Sequence, residues 1–186
     1  MKNLLLLLLF VHFTSFTFIK EEEDKINWTK EYKLTWSDFK GIPDKASKNF
    51  AATNSGFGFE TNGATTEGCT FIVTNSFYRK TSWVKKDKAN EPLLAHEQCH
   101  FDITELCTRK FRKKLSAIKY NPKTMQKTTA DLFRSEQTNW AKMQDQYDRE
   151  TQHSIITAKQ EEWENKVAKE LEELNDFTNS TIKLTK

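Results

Sequence analysis

The sequence predicts an α+β domain in which a small, mostly antiparallel sheet from the N-terminal half packs on long C-terminal helices. Two observations carry the prediction. All five glycines of the 186-residue chain lie before position 70, among Thr, Asn and aromatic residues that alternate along short runs. Beyond Pro92 there is no glycine and one further proline, Pro122, and Lys, Glu, Gln, Leu and Ala are frequent, a helix-forming composition. The expected organisation is an N-terminal export segment over 1–19, an acidic linker over 20–29, one domain over 30–175 and a frayed tail over 176–186. Within the domain, 30–85 reads mainly as strands and 90–175 mainly as helices.

Taken in order, residues 1–19 carry one charge, Lys2, ahead of an apolar run from Leu4 to Phe13 broken only by His12, followed by Thr14, Ser15 and Thr17. This is the layout of a secretory signal, with cleavage expected between 15 and 20. An uncleaved anchor is the rival reading. The run is shorter than the roughly 20 residues a spanning helix needs, and the flank that follows, Glu21 to Asp24, is acidic rather than positive. A secreted or periplasmic location is expected, with membrane contact only through this segment if it is retained.

In the strand half, Tyr32, Leu34 and Trp36 alternate, Phe57 and Phe59 stand two apart, and Phe71, Val73 and Phe77 share one parity. Gly41-Ile42-Pro43, Asn54-Ser55-Gly56 and Asn62-Gly63 read as turns. A first helix is expected from Asn90, a cap residue, through Pro92 in the first turn to about Ile118. Asn121-Pro122 ends it. A second runs from 123 or 124 to about Asp145 with Leu132, Trp140 and Met143 on its apolar side. A third begins near His153 and repeats Ile156, Trp163, Val167, Leu171 and Leu174. The two apolar stripes do not align at about 100° per residue, so a bend is expected between Tyr147 and Gln152.

Charge excludes one class of partner. With 29 basic and 26 acidic residues the net charge is +3, which offers no electrostatic footprint for nucleic acid. The cluster Arg109, Lys110, Arg112, Lys113 and Lys114 is expected to spread over a solvated helix face. Three cysteines, Cys69, Cys99 and Cys107, allow at most one bridge, from Cys69 to one of the others, and otherwise serve as small buried hydrophobes. Trp36 and Phe39 are expected to close a small core.

The chemistry-bearing pattern is His96-Glu97-Gln98-Cys99-His100, inside the first predicted helix. Residues four apart share a helix face, so His96 and His100 can present imidazoles to one ion, which zinc accepts readily. Glu97, about 100° around from His96, can take a proton from a metal-activated water and return it to a leaving amine. The pattern points to metal-assisted amide hydrolysis. A third ligand is needed, and Ile103 and Leu106 rule out the extended motif that carries a third histidine six residues on. His153 ranks first, Glu150 second and Asp148 third. Asp102, about 140° from the mean direction of the histidines, is expected to anchor the helix instead. Tyr147 is a candidate to place a phenol near a developing oxyanion, with packing against Trp140 or Met143 as its alternative role.

His96-Glu97-Gln98-Cys99-His100-Phe101-Asp102-Ile103, followed by Tyr147-Asp148-Arg149-Glu150-Thr151-Gln152-His153 with Gln160 and Trp163 beyond, resembles a bacterial family of predicted secreted zinc-dependent proteases, known as a domain of unknown function. Leu34-Thr35-Trp36-Ser37-Asp38-Phe39, Gly41, Pro43 and Ala51-Ala52-Thr53 resemble its opening. The resemblance implies a zincin-like metal helix, zinc ligands at His96 and His100, a catalytic Glu97 and a functional role for His153. Cys99 and Ser154 depart from it, each standing where the family tends to have Gly. Zinc peptidases with this motif, which the chain resembles, align an extended substrate on an edge strand, and Thr70 to Phe77 is the candidate here.

The leading expectation is thus a zinc metallopeptidase-like hydrolase acting on a peptide or protein. Two alternatives stand beside it: a zinc-binding protein that is not a peptidase, either a cell-envelope amide hydrolase or an inactive binding module, and a metal-free structural helical protein.

Overall fold

The computed structural model describes residues 24–186. The export segment over 1–19 lies outside them, as does the first part of the acidic linker. The sheet is built around a central strand, β4 (Gly68–Tyr78), which follows β1 (Lys25–Asn27), β2 (Ala51–Ala52) and β3 (Ser55–Asn62) in the chain. β3 pairs antiparallel along one side of β4, from Ser55 opposite Phe77 to Asn62 opposite Thr70. The other side is shared end to end: β1 pairs with Ser76 to Tyr78, and a C-terminal strand, β6 (Thr181–Thr185), pairs with Gly68 to Ile72. A separate two-stranded ribbon joins β2 to β5 (Trp83–Val84). The α+β prediction holds.

Three helices follow β5: α1 (Glu91–Ser116), α2 (Met125–Thr151) and α3 (Thr157–Glu173). Alternation along β4 turns Cys69, Phe71 and Val73 toward Cys99, Ile103, Leu106, Phe111 and Leu115 of α1, all in one core. The opposite flank of α1 packs on α2 and α3, so α1 is covered on several sides. That position corrects one expectation. Arg109 and Arg112 are not on a solvated face but are each 4% exposed. Arg109 Nε and Arg112 Nη1 donate to Glu105 Oε1 at 2.9 and 3.0 Å, and their remaining donors tie the carbonyls of Leu171, Val73 and Phe177. Buried guanidinium groups persist where protein acceptors replace the bonds lost to water.

Other boundaries move for identifiable reasons. Tyr32 to Trp36 forms no strand; the chain runs irregularly into a single 3₁₀ turn over Trp36–Asp38, where Trp36 and Phe39 pack at 5.0 Å and Phe39 meets Phe77 at 5.1 Å, closing a second small core. Asn54 precedes β3, while Ser55 and Gly56 lie inside it. The expected linker contains β1. Most consequentially, the 176–186 tail does not fray. Ile182 and Leu184 alternate inward in β6 and are 9% and 5% exposed, capping the sheet end of the core. No helix among the described residues is long and apolar enough to cross a membrane.

All three cysteines are buried and free. Burial pushes the Cys107 thiol up to about 12 and raises those of Cys69 and Cys99, as expected of core hydrophobes rather than reactive groups.

Candidate metal centre

Asn90 starts α1 by accepting from the Leu93 N–H at 2.9 Å, with Pro92 in the first turn. The motif therefore falls in the second and third turns, where His96 and Glu97 are 2% and 3% exposed. Contacts from Leu34, Thr53 and Trp28 hold this stretch to the N-terminal half, the Leu34 N–H donating to Gln98 Oε1 at 2.8 Å. Thr53 Oγ1 donates to the Glu97 carbonyl at 3.1 Å, and Asp102 accepts from the Trp28 indole at 2.6 Å and from Gln98 at 2.9 Å. Asp102 is the anchor its angle on the helix suggested.

The third donor comes from α2. Asp148 Oδ1 lies 3.1 Å from His96 Nε2 and 3.1 Å from His100 Nε2, and the two nitrogens are themselves 3.1 Å apart. These three residues form the metal-capable group found among the described residues. The fit can be tested on the spacing alone. Tetrahedral zinc with bonds of about 2.0–2.1 Å has donor–donor edges of about 3.3 Å, close to the triangle present here. Two imidazoles and a carboxylate also make a donor set that zinc accepts.

Electrostatics agree with that use. Burial opposes charge on Asp148, but hydrogen bonds from His100 and His96 outweigh it and hold the carboxyl well below the usual carboxylate range. Burial lowers His96, partly offset by Asp148. Burial also acts to lower His100, but there Asp148 and Glu97 win and the ring is raised.

The other candidates are placed differently. His153, ranked first, is outside the donor triangle: its Nδ1 approaches the same Asp148 Oδ1 at 3.1 Å from the solvent side. Glu150 points toward α3, accepting from the Trp163 indole at 2.7 Å and from Gln146 at 2.7 Å. Tyr147 does not reach the cavity. It is 0% exposed, its ring stacked on His96 at 4.6 Å and set edge-on to His100 at 4.9 Å, so it supports the imidazoles from behind; its aromatic neighbours are the two histidines and Trp163 rather than Trp140. Gln144, which sequence reading missed, bonds to the outer nitrogen of His100. The available signal was its spacing, one turn before Asp148 on the same face.

α2 runs past its expected end near Asp145 and stops at Thr151, within the stretch where the bend was expected. Gln152, His153 and Ser154 then adopt φ of 49°, 54° and 74°. Three successive left-handed residues without a glycine store backbone strain, of order 1 kcal/mol or more each. Ser154→Gly is expected to stabilise the fold by about 1 kcal/mol in urea denaturation, because the strain it relieves exceeds the entropy that Gly adds to the unfolded chain.

A cavity of about 690 Å³ opens in front of the triangle, lined by Glu97, Phe50, Ala51, Trp83 and Ile155. Thr70 to Phe77 does not line this cavity: it lies within the central strand β4, between β3 on one side and β1 and β6 on the other. The strand residues that line the cavity are Ala51 and Ala52 of β2, Ser55 of β3 and Trp83 of β5.

The fold and site together define a class: an α+β domain in which a buried central helix and a second helix converge two histidines and a carboxylate on one point. Residues 75–154 match the model of a family described as "Bacterial protein of unknown function (DUF922)". The matched stretch holds His96, Glu97, His100, Asp148 and His153. No curated protein and no solved structure matches the chain.

Proposed function

We propose that this chain is an exported zinc-dependent hydrolase that cleaves amide bonds in peptides or proteins. The observation that carries the proposal is the equal-sided triangle of His96 Nε2, His100 Nε2 and Asp148 Oδ1 beside the buried Glu97. Those three atoms would hold the ion, which when bound supplies Lewis acidity, polarising a carbonyl and acidifying water.

The remaining work falls to the chain's own side chains. Glu97 Oε2 is buried and without a hydrogen-bond partner, an acceptor left open at the cavity wall. It accepts a proton from the attacking water as the new carbon–oxygen bond forms, then passes that proton to the nitrogen as the carbon–nitrogen bond breaks. His153 lines the mouth of the cavity and holds Asp148 in place. Phe50 and Ile155, 44% and 71% exposed, border the cavity and offer apolar surface to a peptide side chain. The apolar N-terminal segment supports export.

Metal analysis of the chain purified without chelators tests the reading. About one equivalent of zinc, with hydrolysis of an unstructured polypeptide that stops on chelation and returns with zinc, is the expected result. Less than about 0.2 equivalents in a folded sample supplied with zinc overturns it.

A further inference from the structure

We infer that Gln144 is a positioning residue that sets the tautomer of His100, leaving Nε2 as the unprotonated nitrogen. The inference rests on the metal reading of the same site. Its basis is a chain of hydrogen bonds whose directions can be assigned.

One end of the Gln144 amide meets the backbone carbonyl of His100 at 2.9 Å and Thr104 Oγ1 at 3.1 Å. A carbonyl oxygen can only accept, so the amide atom facing it must be the nitrogen. The amide oxygen is then forced toward His100 Nδ1, at 2.6 Å. An amide oxygen also can only accept, so Nδ1 carries the proton and donates. The charged ring also donates from Nε2 to Asp148 Oδ1; on becoming neutral it keeps the Nδ1 proton, and Nε2 is the nitrogen left to face the point shared with His96 Nε2 and Asp148 Oδ1.

The amide itself is held from turning. Thr104 Oγ1, which receives its N–H, also accepts from the Trp140 indole at 3.0 Å and contacts Ser55 Oγ at 2.8 Å. The arrangement thus reaches from α2 through α1 to the start of β3. His96 has no counterpart: its Nδ1 is buried without a hydrogen-bond partner, and its ring is held by stacking on Tyr147. Of the two imidazoles, His100 is the one whose outer nitrogen has a hydrogen-bond partner.

Orientation of a ligating histidine through its second nitrogen is worth about 10–100-fold in metal affinity. Gln144→Leu, which keeps the bulk and removes the acceptor, is expected to weaken zinc binding by that factor in chelator competition. Gln144→Glu, which keeps an acceptor opposite Nδ1, is expected to remain within a few-fold of wild type. A folded Gln144→Leu chain that binds zinc as tightly as wild type overturns the inference.

A second measurement needs neither variant nor metal. Long-range ¹H–¹⁵N correlation on the metal-free wild type, at a pH where His100 is neutral, should show Nδ1 protonated. Protonation at Nε2 overturns the inference. A wild-type chain that takes up no zinc overturns the metal reading, and the ring tautomer of that same chain still decides this one.

Discussion

Asp148→Ala is expected to abolish stoichiometric zinc binding at micromolar metal, whereas His153→Ala should still take up one equivalent, about ten-fold more weakly. The asymmetry follows from where each side chain stands. Asp148 Oδ1 completes a donor triangle with the two motif imidazoles, and it brings the one negative charge among the three donors. Removing it leaves two neutral nitrogens on a single helix, short of the three protein ligands of catalytic zinc sites. His153 touches that carboxylate from outside and steadies it, the role of an outer hydrogen-bond partner. Equilibrium dialysis of the two variants decides the point. Retention of tight zinc by Asp148→Ala together with its loss from His153→Ala would hand the third position to His153.

Glu97→Gln is expected to keep zinc at wild-type affinity and to lose about 10²–10⁴-fold in the rate of peptide hydrolysis, the range for a positioned general base. The replacement has the same shape in a position that is 3% exposed, so packing should be preserved. Its loss is chemical: an amide cannot take up and return a proton. Since Glu97 stands apart from the donor triangle, metal content and turnover separate in this variant. Equal hydrolysis by both proteins, at equal zinc loading, would sink the mechanism.

Much of the scaffold could be read from local pattern. The start of α1 was legible because Asn90 and Pro92 act within one turn of it, and the contrast between a glycine-bearing half and a glycine-free half marks the change from sheet to helices. Two features were not legible. Residues 181–185 hold two inward apolar side chains in a polar tail, too weak an alternation to specify a strand until β4 offers it an unpaired side. Likewise Arg109 and Arg112 look like surface charges by residue type. They become interior groups only because Glu105, itself held by the Asn75 amide, and three backbone carbonyls converge on them.

The same division runs through the site. Sequence by itself determined His96, Glu97 and His100 as the core of the constellation, since a spacing of four on one helix brings two imidazoles to one face whatever surrounds it. It also narrowed the third donor to Asp148, Glu150 and His153, which lie within six positions of one another. Tertiary structure alone decided among them. Each residue along α2 turns the side chain by about 100°, so the choice depends on how far the helix continues and how it crosses α1. α2 continues to Thr151, carrying Asp148 inward with Gln144 one turn before it, directing Glu150 toward Trp163, and leaving His153 on a strained turn outside the triangle.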